Sequence, residues 1–348
     1  MDAITFPYTA VQLTAQVNRF PNQYGLINAL NVFPSAGSIS TIIEVRREEF
    51  TLAVLPSRER GAPASAAERK RGDALFFEVP HFPHDDSISP RDLQNMLTQV
   101  GTTLVPRTME EEMAKRLFQI RNKHAITREW LRMSALKGQI TDGYGVTVYD
   151  LFDAFGFTKS VIYFDLSNAN ADIIGTCAAL FQQIATNLRG ETMTHVRVIV
   201  AADFFNSFVE HPKVNKYWLN WQAAAQLANI PRAANGGQFG RSFVFQNIEF
   251  MEYYGLAPVK VNGALTSQPF VAAGKGHAYP VGTLSTFATY DAPPEDIRFV
   301  NEPGQEVFIS PKVLDHGAGV ELHTQSNPLP ICKRPEVLVE VDAGADPN

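Results

Sequence analysis

The hydrophobic and polar positions change period several times along the chain, and each change marks an element. Residues 108–138 carry the clearest helical pattern: Met113, Leu117, Ile120, His124 and Leu131 recur on one face, as a period of about 3.6 residues requires. Thr108 and Glu111 form a capping box at its start, Glu110, Glu111 and Glu112 suit the positive end of the helix dipole, and Gly138 supplies a stop. The pattern predicts one long helix with a narrow apolar stripe. A second helix is predicted from Asp172, with Ile173, Cys177, Leu180, Phe181, Ile184 and Leu188 on one face and Gly190 ending it. A third follows Pro212 around "KYWLNWQAAAQLAN", and Ser89-Pro90 reads as the capped start of a helix running into "RDLQNMLTQVG".

Period-two segments lie between these helices. Residues 41–55, "TIIEVRREEFTLAVL", read as a strand, and "ALFFEV" as its return, with the long tip "PSRERGAPASAAERKRGD" between them. Directly after the long helix, Gln139-Ile140 and residues 146–151 flank "TDGYG", whose Asp-Gly pair signals a hairpin turn. "HVRVIV" has the composition of a short buried strand, and "FVFQNIEFMEYY" alternates over two strands turning at Gln246-Asn247, after the Gly-rich loop "AANGGQFGRS". Residues 1–40 contain Pro7, Pro21, Pro34, Gly25 and Gly37, so only short helices joined by extended linkers are expected there. Helices and strands mix without a βαβ rhythm, which favours an α+β fold.

Composition narrows the function. At 348 residues the chain exceeds the size at which one core stops growing, so two cores or an elongated body are expected. Hydrophobic residues at 45% against 19% charged supply a large core. A net charge of -6 argues against a protein whose work is gripping phosphate, so no sequence-specific DNA binding is expected. Cys177 and Cys332 lie far apart without a CxxC spacing and read as small buried hydrophobes, not a disulfide framework or a zinc site. The first residues lack a basic and apolar leader pattern, and no uncharged apolar run reaches the ~20 residues that span a bilayer. A cytoplasm-like compartment and no membrane partner are expected.

Candidate chemistry is sparse. "HFPHDD" places His81, His84, Asp85 and Asp86 together, ligand types that suit a divalent metal and, as the alternative reading of the whole chain, a metal-dependent hydrolase. Pro83 between the histidines rules out a helical ligand pair, and no second ligand motif stands out. His316 and His323 in "DHGAGVELH" could face each other across a turn. No GxSxG, Walker-type, HExxH or GxGxxG motif is present, and the glycines around Lys275 lack the strand-to-helix context of a phosphate cradle, so neither catalytic residues nor a cofactor are expected. Arg58, Arg60, Arg69, Lys70 and Arg71 are interleaved with Glu59, Glu68 and Asp73. Such mixed-sign knots suit ion pairs between subunits, because carboxylates add nothing to phosphate binding; a solvated charge run is the other reading.

Four segments, in this order, carry a resemblance: "SALKGQITDGYGVTVYDLFDAFGF", "FVFQNIEFMEYYG", "AYPVGTLSTFATYDAPPEDIRFVNEPGQ" and "QSNPLPICKRPEVLVEV". With them the chain resembles the lambda-type major capsid protein family (phage major capsid protein E) of tailed bacteriophages. The resemblance implies the Hong Kong 97-like capsid fold: residues 1–40 an N-terminal arm, 41–88 an extended loop reaching over a neighbouring subunit, 89–164 a peripheral domain with spine helix and β-ribbon, 165–292 an axial domain, and 293–348 the return to the peripheral domain. It also implies hexamers and pentamers tiling an icosahedral shell around double-stranded DNA, in a virion assembled in the host cytoplasm. A separate scaffolding protein is expected, since the arm is too short for a scaffolding segment, together with a portal and a possible decoration protein. The arm and extended loop are expected to order mostly on assembly, offset by the surface they bury.

Overall fold

The structure, a computed structural model, describes residues 8–19, 25–46, 74–94, 97–100, 103–106, 108–227, 240–261 and 264–347. The chain divides into two units: Met1–Ile43, Glu78–Leu131 and Ala288–Ile331 form the first, and Glu44–Phe77, Arg132–Phe287 and Cys332–Asn348 the second. The last segment, 293–348, expected as the return to the peripheral domain, contributes residues to both units. Residues up to Ile331 stay with the first unit, whereas strand Val339–Asp342 enters a sheet of the second. Local pattern could not signal this, because the pairing partners of that strand lie far away in sequence.

In the first unit, strands Phe308–Val313, Val320–Ser326 and Phe82–Ile88 form an antiparallel sheet, with the middle strand paired to both others. Helix Ala10–Arg19 supplies Leu13 and Val17, and the long helix supplies Met113, Leu117 and Ile120, to one core with Ile88, Val307, Ile309, Val320 and Leu322. Thr14 fixes the first helix to the sheet, its hydroxyl accepting from Ile309 N at 3.0 Å. This helix belongs to the arm expected to order mostly on assembly, and in the structure its apolar face completes a core of its own chain.

The long helix spans Met109–Leu136, with the capping box in place: Thr108 N donates to Glu111 Oε2 and Glu111 N to Thr108 Oγ1, both at 3.3 Å. All five predicted stripe residues are buried. The stripe is not narrow, however, because Glu112, Arg121, Arg128, Glu129 and Arg132 are buried as well. Each charge whose contacts are described has a defined partner. Arg128 Nη2 meets Asp291 Oδ1 at 2.6 Å and its Nη1 donates to Ser35 Oγ at 3.1 Å; the two side chains of the ion pair are each only 3% exposed. Glu129 accepts from the backbone N–H groups of Ile27 and Asn28, both at 2.8 Å. Arg116 bridges Glu112, Asp86 and Asp92, and Arg121 pairs with Glu306. His124 lies between Ser326 Oγ at 2.8 Å and Thr324 Oγ1 at 3.0 Å.

The predicted helix at Ser89-Pro90 is a single turn, Pro90–Leu93, in which Ser89 N donates to Asp92 Oδ2 at 2.7 Å. Beyond it the backbone forms two paired strands, Leu97–Val100 and Thr103–Pro106. The β-branched residues Thr98, Val100, Thr103 and Val105 favour extended backbone over a longer helix.

The second unit is built on six strands in the order Ser242–Phe245, Ile248–Glu252, His195–Val200, Lys275–Val281, Val339–Asp342 and Ser160–Tyr163. The turn between the first two has φ of 50° at Gln246 and 61° at Asn247, the left-handed pair of a tight hairpin, as the sequence predicted. Helices Ile173–Asn187, Ala202–Glu210 and Pro212–Leu227 accompany the sheet. The first begins at Asp172, whose side chain caps Gly175 N at 3.2 Å, and buries Ile173, Cys177, Leu180 and Ile184 as expected. An aromatic cluster joins helix to sheet: Phe208 lies 4.3 Å from Phe250, 5.8 Å from Phe245 and 6.2 Å from Phe164 between ring centroids. Both cysteines are free and buried, and burial pushes the Cys177 thiol up to about 12 and the Cys332 thiol higher still. Lys275 pairs with Glu340 at 2.5 Å on a sheet strand.

Two measurements follow from the polar helix. Arg128→Met leaves the Asp291 carboxylate buried without its cation, an expected loss of ~3–5 kcal/mol in chemical denaturation, and adding Asp291→Leu restores most of it. Additive losses in the double variant would show that the two side chains do not act as a pair. The second measurement concerns acid. Burial, then the charges of His84, Arg121, Arg128 and Lys123, push His124 down from 6.5 to about 3. The unfolded chain therefore takes up a proton that the folded chain refuses between these values. Stability from the neutral ring is complete above pH 6.5 and falls by at most ~1.4 kcal/mol per pH unit toward pH 3. His124→Gln keeps hydrogen-bonding capacity without the titration, so its melting temperature is expected to fall less steeply from pH 6.5 to 5 than that of the wild type; equal slopes would assign the acid response to other groups.

Candidate functional site

The four residues proposed as metal ligands are separated by the pleat of strand Phe82–Ile88. His84 and Asp86 share one face, where His84 Nε2 lies 2.8 Å from Lys123 Nζ and Asp86 accepts from Arg116 at 3.2 Å. Asp85 lies on the other face, directly opposite His323 in register, with its carboxylate 2.5 Å from His323 Nδ1. His81 precedes the strand and meets Asn327 Oδ1 at 2.9 Å. Burial and then Lys123 hold His84 below its ordinary pKa, and a lysine ammonium is the wrong neighbour for a cation site. Among the described residues no group of three or more His, Cys, Asp or Glu is placed to hold a metal ion. The metal-dependent hydrolase reading is corrected accordingly: adjacency in sequence becomes opposition across a strand.

His316 sits in the turn Asp315–Gly317 with φ 58°, while His323 is engaged by Asp85 and by Gln325 Nε2 at 2.9 Å, so the two read as incidental histidines of a turn and a strand. The charged knots of Arg58, Glu59, Arg60, Glu68, Arg69, Lys70 and Arg71 lie outside the described residues, as do the tip joining strands Ile42–Arg46 and Ala74–Glu78 and the Gly-rich stretch 231–239.

What the second unit does present is a braced apolar ribbon. Gly138, with φ 82°, ends the long helix where a Cβ would lie 2.1 Å from the Phe152 ring, so only glycine fits. Strands Gln139–Thr141 and Thr147–Asp150 follow immediately. Asp142 Oδ1 accepts from Tyr144 N at 2.8 Å and Val146 N at 2.9 Å, fixing the turn predicted at "TDGYG". Asp150 then caps a short helix, Leu151–Phe155, by accepting from Phe152 N at 2.9 Å and Asp153 N at 3.2 Å. Tyr144 and Val146 nevertheless remain 65% and 61% exposed. At the turn, Gly143 O accepts from Lys260 N at 2.9 Å, joining the ribbon to hairpin Leu256–Val261/Ala264–Pro269, where Leu265 is 73% exposed.

This surface holds no nucleophile beside a base. It holds the exposed apolar side chains Tyr144, Val146 and Leu265 on turns and strands braced by backbone and Asp142 hydrogen bonds. Among the described residues no helix is long and apolar enough to cross a membrane. The ribbon and its turn were legible in the sequence, whereas the exposure of Tyr144 and Val146 was not, since alternation in a two-stranded ribbon does not say which face is covered.

Comparison with known proteins extends this reading. Residues 9–343 match the family described as phage major capsid protein E. The major capsid protein of Salmonella phage Felix O1 (isolate Felix O1-VT1) is 32% identical over 354 residues, spanning 96% of this chain and 95% of that protein. The major capsid protein of Pseudomonas phage KPP10 is 26% identical, spanning 96% of each. Among solved structures, a prophage protein of Escherichia coli CFT073 described as a capsid protein covers 97% of this chain with a TM-score of 0.61 at 14% identity. The capsid of cyanophage P-SCSP1u covers 91% with a TM-score of 0.50 at 10% identity. At such identities the structural likeness speaks for the fold alone, which is the α+β, Hong Kong 97-like capsid fold. The match over nearly the whole chain, with a relative at 32% identity, makes this chain a member of the phage major capsid protein E family.

Proposed function

We propose that this protein is the major head protein of a tailed phage, with hexamers and pentamers of the chain tiling an icosahedral shell around double-stranded DNA. The observation that carries the reading is the end-to-end match to major capsid proteins of two phages. Shell formation is the family's work, and the chain's place is in the virion capsid. The exposed ribbon and hairpin suit contacts between copies. A net charge of -6 is compatible with a shell that encloses DNA without gripping its sequence. In this reading no reaction is catalysed, and assembly takes place in the host cytoplasm with a separate scaffolding protein, a portal and, where the shell needs it, a decoration protein.

The domain roles follow the same proposal. Residues 41–88 act as the extended loop over a neighbouring subunit, and Arg58, Glu59, Arg60, Glu68, Arg69, Lys70 and Arg71 make ion pairs between subunits there. The long helix and ribbon act as the peripheral spine, and the six-stranded unit as the axial domain. Sedimentation velocity of the chain expressed alone, over a range of concentration, tests the whole: rings or shells are expected, and a strictly monodisperse compact monomer at every concentration would overturn it.

Two variants test the parts. Deleting residues 57–73 is expected to leave a subunit with unchanged helix content and cooperative melting that forms no stable shells; normal shells would remove the loop from the assembly role. Val146→Asp places a charge on the ribbon and is expected to raise the assembly threshold at least about tenfold, with the melting temperature little changed, because the side chain is exposed in the free subunit. Assembly at the wild-type threshold would mean that the ribbon is not a contact.

A further inference from the structure

Among the described residues, the two most exposed large apolar side chains are Leu284 and Ile297, each 90% exposed. Singly exposed leucines are ordinary on protein surfaces; the way the backbone under Leu284 is held is not. Glu191, its own side chain only 6% exposed, reaches across to the loop and takes up three of its donors. Oε1 accepts from Leu284 N at 2.7 Å and Ser285 N at 2.9 Å, and Oε2 accepts from Thr286 Oγ1 at 2.7 Å. Arg334 stands behind the carboxylate, its Nε 3.7 Å from Oε2, and is itself anchored to the carbonyl of Leu188.

The two ends of the loop are braced as well. Thr194 N donates to Val281 O at 2.8 Å and Lys333 N to Thr286 O at 2.8 Å. Gly282, at φ 81°, lets the chain turn where a Cβ would meet the Thr194 methyl at 2.8 Å. A buried carboxylate thus fixes the conformation of a tip whose outermost feature is a bare leucine. Ile297 lacks this: Asp296 braces its turn mainly through Arg298, whose own side chain is 48% exposed.

The geometry points to Leu284 as a preorganised apolar knob that inserts into a second copy of this chain, with Glu191 as the residue that positions it. The inference rests on the shell-forming reading above. Rigid presentation removes the ordering cost that a flexible loop meets on binding, so one leucine can act as a contact anchor. The occupant follows from charge. Copies carrying -6 each repel one another, and a contact point without net charge adds nothing to that repulsion. Residues 282–285 are Gly, Thr, Leu and Ser, and Glu191, the acid bonded to them, is turned inward against Arg334. A neutral, rigid, apolar tip is suited to contact between like-charged copies.

The test uses Leu284→Cys in the full chain. The two natural cysteines are buried, so the new thiol is the only exposed one. Its labelling by a maleimide is compared in dispersed subunits and in shells formed from this chain alone, with Leu284→Asp and Leu284→Met carried in parallel. Expected are labelling at least about tenfold slower in shells, an assembly threshold raised at least about tenfold by Leu284→Asp, and near wild-type assembly by Leu284→Met. Glu191→Gln leaves Arg334 without its carboxylate and lowers the melting temperature, so it is compared well below melting, where a higher threshold with unchanged circular dichroism is expected of a positioning role. Equal labelling rates in shells and subunits would overturn the inference, as would protection seen only in particles that contain other phage proteins. A wild-type chain that forms no shells would sink the shell-forming reading first and this inference with it, whereas normal wild-type shells with a freely labelled Cys would sink this inference alone.

Discussion

The first unit depends on one constraint: charges buried along the long helix must all find partners at once. Burying an unpaired guanidinium or carboxylate costs several kcal/mol, more than any single apolar contact recovers. On this helix Arg121, Arg128 and Glu129 are all buried, and their partners come from residues 27–28, 35, 291 and 306. Those segments lie at opposite ends of the sequence. An apolar core accepts many arrangements of roughly the right volume, whereas Arg128 between Ser35 and Asp291 accepts very few. The polar contacts therefore select which arrangement of the N-terminal segment and the returning chain the core adopts, while the core supplies the driving force.

The second unit solves its packing differently. Phe164, Phe204, Phe208, Phe243, Phe245 and Phe250 interlock between helices and sheet, mostly edge-on or tilted, as the quadrupole of an aromatic ring favours. Charge is confined to spots such as Glu340, which takes Lys275 at 2.5 Å and Lys159 as well. Arg241, bound to Glu252 at 2.7 Å, makes another such spot at the strand end. A sheet held by ring packing is tolerant of small displacements but not of lost volume. The two units are thus vulnerable to different insults, one to unpaired charge and the other to cavities.

How much of this was legible in the sequence depends on the range of the signal. The capping box at Thr108 and Glu111, the helix start at Asp172, the hairpin at Gln246-Asn247 and the ribbon turn at Asp142 are each set by a few adjacent residues, and each formed where it was read. Helix Ala202–Glu210 went unread although Phe204, Phe205, Phe208 and Val209 carry its period, because nine residues give too little repetition between a strand and a proline. The entry of Val339–Asp342 into the six-stranded sheet and the buried partners of Arg128 are set by residues far off in sequence, which no local pattern reports. "HFPHDD" misled for the opposite reason. Four candidate ligands in six residues look like a cluster, yet His81 precedes the strand, the other three point alternately to its two faces, and Lys123, Arg116, His323 and Asn327 take them one by one.

The surface contacts follow a logic that the interior does not. A shell closes only if each copy meets several neighbours, so the stability of any one contact is multiplied by simultaneous engagement. Contacts that were individually strong would lock misplaced subunits before closure. The described surface fits this: its exposed apolar residues are scattered, with Tyr144 and Val146 on the ribbon, Leu265 on the hairpin and Leu284 on its own loop. Each stands on backbone already fixed by Asp142, by strand pairing or by Glu191. In the proposed contact role, small area keeps such a point reversible and rigid support keeps it specific, because a knob that cannot move fits only a recess of matching shape. A net charge of -6 adds a repulsion that only correctly seated contacts overcome together. Weak, rigid and numerous contacts are therefore what the sequence of a shell subunit must encode on its surface, alongside the strong and singular pairings that it encodes within.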